Sequence, residues 1–117
     1  MPYFMVRGAY SAPGYRGLID HSHDREKFAR DLNAQCGLTP TSYFYSESEP
    51  CFVAIVEGTA KQVATAKMTS MASGGFLKMT SELLISSADF FQSMRDSNRM
   101  KFSAPNQDEI DRMLLDE

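Results

Sequence analysis

Residues 52–56, Phe-Val-Ala-Ile-Val, constrain this chain more than any other stretch. They are apolar on both parities, so they read as a strand whose two faces both need cover. Just upstream, Tyr43-Phe44-Tyr45 also suits a strand. Between the two, Ser46-Glu47-Ser48-Glu49-Pro50 is polar and ends in a residue that cannot donate to a ladder. Two strands so close in sequence are expected to pair antiparallel.

The remaining elements follow from period and caps. Tyr3 to Tyr10 alternates as a strand, with Phe4, Val6 and Gly8 on one face and Tyr3, Met5, Arg7 and Ala9 on the other. Ser11-Ala12-Pro13-Gly14 ends it, and Tyr15 to Ile19 reads as a short helical turn. Ser22 reads as the cap of a helix over about 23–36. That helix carries an apolar stripe of Phe28, Ala29, Leu32 and Cys36, begun by Arg25, and ends at Gly37. Thr59 and Gln62 match a capping box for a second helix, which Gly74-Gly75 stops. Phe76 to Ile85 alternates as a fourth strand, Leu77, Met79, Ser81, Leu83 and Ile85 opposing Phe76, Lys78, Thr80, Glu82 and Leu84. Ser86 or Ser87 then caps a short helix bearing Phe90, Phe91 and Met94. Asp96 to Pro105 reads as a linker, and Asn106 to Glu109 as the start of a small terminal helix.

The order β-α-β-β-α-β predicts an α+β, ferredoxin-like sandwich with a C-terminal helical extension. Right-handed crossovers put the first and third strands at the centre and the helices on one face. The domain expectation is residues 1–95 for the sandwich and 96–117 for the linker and last helix. One helical layer covers one face of the third strand. A second copy of the chain is the expected cover for the other, since large bare apolar patches are uncommon on monomers.

The stretches P-Y-F-M-V-R-G-A-Y at the start, S-H-D-R-E-K-F-A-R in the first long helix and F-V-A-I-V-E at 52–57 resemble the GYD domain family, small bacterial and archaeal proteins, over roughly residues 2–90. That resemblance implies a plan similar to the dimeric α/β-barrel proteins, which pair sheets through their open faces. The Gly-Tyr-Asp of the family's name is missing: Pro50-Cys51 stand where its Tyr-Asp would fall. No role of that tripeptide carries over, and the resemblance brings no established activity.

Composition narrows the function classes. With 12 Lys and Arg against 15 Asp and Glu in 117 residues, the chain is weakly acidic. It is therefore a poor match for nucleic acid. No apolar run reaches a membrane span and the start lacks a signal-peptide pattern, so the expected location is the cytoplasm. Cys36 and Cys51 are then expected as free thiols. His21 and His23 straddle a helix start and lack the three or four convergent ligands of a zinc site. No phosphate loop, nucleophile elbow or zinc-protease motif is present, so no cofactor is expected. What remains is a polar set on strands: Arg7, Tyr43 or Tyr45, Glu57, Lys78, Thr80 and Glu82. The candidate ligand-binding residues are Arg7, Tyr45, Lys78, Thr80 and Glu82, placed beside a pocket between the sheet and a partner subunit. Their plain alternative is cross-strand charge pairing. The expected function is a homodimeric module, or a higher oligomer, that binds a small molecule or a partner. The alternative is a cofactor-free monooxygenase or isomerase acting on an apolar, oxygenated substrate.

Overall fold

The computed structural model describes residues 1–115. Strand β1 (Tyr3–Tyr10) is followed by helices α1 (Ala12–Asp20) and α2 (Arg25–Gln35). Strands β2 (Thr39–Ser46) and β3 (Cys51–Glu57), helix α3 (Ala60–Ala72) and strand β4 (Phe76–Leu84) come next, then helices α4 (Ser87–Ser97) and α5 (Gln107–Leu115). The chain divides into two compact units, residues 1–85 and the segment from Ser86 onward. Among the described residues, no helix is long and apolar enough to cross a membrane.

The first unit is built on a four-stranded sheet in the order β2-β3-β1-β4, antiparallel at every pairing. Strand order and connections together make an α+β, ferredoxin-like fold. The apolar strand β3 lies between β2 and β1, where both its edges are paired. One face of the sheet carries the core. Phe4, Val6 and Tyr10 of β1 and Phe52, Ala54 and Val56 of β3 are buried there, together with Leu38 and Val63 of α3. Val56 is only 2% exposed, and burying a side chain of that kind contributes about 1.5–3 kcal/mol. Tyr15 and Leu18 of α1, Cys36 at the end of α2 and Ala66 of α3 pack against the same cluster, so all three helices of this unit lie on this face. Gly8 also belongs to this face. A Cβ there would run into the Phe52 ring, which crosses the sheet above it.

The opposite face is set by the register. Arg7 pairs with Val53 on one side and Thr80 on the other, and Met5 with Ile55 and Glu82. Phe44 of β2 pairs with Val53 and is 70% exposed.

Local chemistry explains the element ends. Thr59 and Gln62 form the predicted capping box: the Gln62 amide donates to Thr59 Oγ1 at 3.2 Å, and the Thr59 amide donates to Gln62 Oε1 at 2.8 Å. Helix α2 closes in a Schellman motif, with Leu38 N–H on Asn33 O and Gly37 N–H on Ala34 O, and Gly37 at φ 82°.

Three local expectations are corrected. The cap of α2 is Asp24, which accepts from the Glu26 amide at 3.0 Å; Ser22 instead donates back to Ile19 O. The Ser11–Gly14 stretch opens a helix of nine residues rather than a loop, because Ser11 accepts from the Gly14 amide and the proline lies in the first turn, where its missing N–H is not needed. In β4 the alternation breaks. A register shift pairs Tyr10 with Phe76 and Ala9 with Lys78. Phe76 therefore joins the helix face and stacks on Tyr10 at 5.0 Å, while Leu77 is left 74% exposed.

In the second unit, Ser86 caps α4 by accepting from the Asp89 amide at 3.0 Å, as its sequence foretells. The helix runs to Ser97, so the start of the expected linker is helical. Gln107 at the start of α5 accepts from the Ala104 amide at 3.0 Å.

Candidate functional site

The register gathers four of the five residues singled out in the sequence. Arg7, Lys78, Thr80 and Glu82 share the sheet face away from the helices, as adjacent positions on β1 and β4. Arg7, Lys78 and Thr80 line an open hollow of about 430 Å³, walled on its other side by Ser48, Glu49, Pro50 and Cys51. No side chain of the four makes an ion pair among the described residues; Arg7 Nη2 donates to Met5 Sδ at 3.3 Å. Glu57 lies nearer the other end of this face and meets the chain's amino terminus at 3.9 Å.

Tyr45 is not with them. It lies on the helix face, where its hydroxyl is 2.6 Å from that of Tyr15 on α1. Tyr10 and Tyr43 form a second hydroxyl pair at 3.1 Å, and the Tyr10 and Tyr15 rings meet edge to face at 5.4 Å. Four phenols thus converge where β1 and β2 meet α1. They line one cleft of about 360 Å³ together with His23, Asp24 and Arg25 from the start of α2. The hydrogen bond to Tyr45, then burial, pushes the Tyr15 hydroxyl up from 10.0 to about 12. Burial, then the Tyr10 hydroxyl, pushes Tyr43 higher still, against the opposing pull of the Arg25 guanidinium. Both phenols therefore stay protonated near neutral pH and can donate hydrogen bonds.

Arg25 is held from two sides. Its guanidinium lies 5.5 Å from the centre of the Phe28 ring, and Nη1 is 3.3 Å from His23 Nε2. His23 Nδ1 is 2.8 Å from the His21 carbonyl, which can only accept. That places a proton on Nδ1 and leaves Nε2 to accept from Arg25. The His23 ring itself packs edge-on against Phe28 at 4.8 Å. This leaves Arg25 Nε, which is buried and has no hydrogen-bond partner among the described residues. An unsatisfied buried donor costs about 1–3 kcal/mol, and more on a charged group.

Arg25 also lines a partly open cavity of about 110 Å³ between the sheet and helices α2 and α3. Its walls are apolar and aromatic, among them Phe28, Leu32, Phe52, Val63 and Met79. Its polar lining is Arg25, Asn33, Tyr43, Lys67 and Ser70: two cations, and no carboxylate. Lys67 Nζ is 3.2 Å from Ser81 Oγ and has no acidic partner among the described residues. Sequence reasoning missed this place. In the sequence Arg25 reads as the start of an apolar stripe; the usable signal is a cation at a core-facing helical position two residues after a histidine.

Cys51 is buried and Cys36 half-buried, and neither is in a disulfide. Among the described residues, no three His, Cys, Asp or Glu side chains gather as a metal cluster.

No protein-family model matches the chain, and no curated protein does. Among solved structures, the chain is similar to an uncharacterised NIPSNAP-like domain protein from Burkholderia xenovorans, with 14% identity and a TM-score of 0.46 over 89% of each chain. It is also similar to an Agrobacterium tumefaciens protein described as a nipsnap family protein with unknown function. Two structures of that protein share 14% and 13% identity with this chain, at TM-scores of 0.42 and 0.38. They cover 74% and 71% of this chain and 94% and 86% of their own. The fold assignment stands on the strand order and register alone.

Proposed function

We propose that this chain is a homodimeric module that binds a small molecule. The observation that carries the reading is the difference between the two faces of the sheet. One face is covered by three helices over a partly open apolar cavity and a cleft lined by four tyrosines. The other carries Met5, Phe44, Val53 and Ile55 with no helix of residues 1–85 on it. A second copy, sheet to sheet, covers that apolar surface and shuts the hollow beside Arg7, Lys78 and Thr80. Membership of the GYD family and a cytoplasmic location belong to the same proposal.

Sedimentation at micromolar concentration tests the pairing. The parent is expected as a dimer burying at least about 800 Å² per partner. Phe44→Lys, which puts a charge on the apolar surface at the β2 edge of the open face, is expected to give a folded monomer. A parent that sediments as a monomer contradicts the pairing.

A further inference from the structure

We infer that the cavity under α2 and α3 takes a compact apolar carboxylate, with its hydrocarbon body inside and its carboxylate on Arg25. The inference rests on the reading of the chain as a small-molecule-binding module, and not on the pairing of copies. Four observations on one site lead to it. The space is a partly open, largely apolar recess, and at about 110 Å³ it is smaller than the roughly 150 Å³ of a dry cavity that accepts benzene. A body of about four or five carbons suits it. Arg25 brings a guanidinium to the lining, with its Nε buried and without a partner among the described residues, and guanidinium matches carboxylate geometry better than any other cation. A second cation, Lys67, shares the lining, and no acid does, in a chain where acids outnumber bases. Arg25 and Tyr43 line both this cavity and the tyrosine cleft, so the two spaces meet at the residues that would hold the head group. The Tyr43 hydroxyl, 3.1 Å from that of Tyr10, lies at that junction.

The direct test is calorimetric titration of the full chain. The probes are butyrate, valerate, isovalerate and hexanoate, each against the alcohol of the same carbon skeleton, with inorganic phosphate as a bare anion. At least one carboxylate is expected to bind saturably, and its alcohol about tenfold more weakly or worse. Arg25→Met is expected to fold with an unchanged or higher denaturation midpoint, because it removes a buried donor that lacks a partner, and to lose the preference for the acid. Should Arg25→Met not fold, Arg25→Lys keeps the charge but not the guanidinium nitrogen, and is expected to bind the acid less tightly than the parent. Equal binding of acid and alcohol would overturn the inference, as would phosphate binding as tightly as the best acid. An acid preference that survives at Arg25→Met also overturns it. If the whole series fails while another small molecule is carried through purification, the carboxylate assignment falls and the module reading stands.

Discussion

Tyr15 and Tyr45 meet at 2.6 Å, and that contact gives a pH dependence that can be measured. A tyrosine in the unfolded chain loses its proton near 10.0, whereas folded Tyr15 holds its proton to about 12. Between those values the unfolded chain carries fewer protons, so stability falls as pH rises. The contribution is fully present below about pH 10 and is lost through about 12. Urea midpoints across this range should decline for the parent, and less steeply for Tyr45→Phe; equal slopes would show that the pair is not the cause. At the same scale, Thr59→Ala removes one arm of the capping box and should cost about 1 kcal/mol of unfolding free energy. Thr59 and Gln62 were legible in the sequence because a capping box needs only two residue types at one spacing. The phenol cluster was not, since Tyr10, Tyr15, Tyr43 and Tyr45 come from three separate elements and no local spacing marks their convergence.

At the scale of elements, the strands and long helices could be read because each is set by its own period and ends. The errors fell where two signals competed. Pro13-Gly14 reads as a stop after β1, yet after Ser11 it is also a good first turn, and the Ser11 side chain decides for α1. Strict alternation put Phe76 beside Lys78. The register shift at Ala9–Tyr10 undid this, because it lets Phe76 stack on Tyr10 in the core and leaves Leu77 outside. The polar row survived the shift, since Lys78, Thr80 and Glu82 lie past it and keep their pairing with Ala9, Arg7 and Met5. Arg25 shows the limit of stripe reading. A helical wheel places it toward the core but says nothing of the cavity it borders, which depends on how α2, α3 and the sheet fail to fill the space between them.

The whole molecule separates after Ile85. Every buried residue of the core cluster lies before that point. A chain ending at Ile85 should therefore keep a single cooperative unfolding transition, monitored by far-ultraviolet circular dichroism. Loss of that transition would make the later helices part of the core. The arrangement of the sheet, helices on one side and an apolar surface on the other, leads to the central claim of a paired module that carries a small molecule. Native mass spectrometry of the purified full chain tests both halves together. The account predicts a dimer that takes up a small acid in the ratio of one per subunit. A bare monomer that takes up none would contradict it.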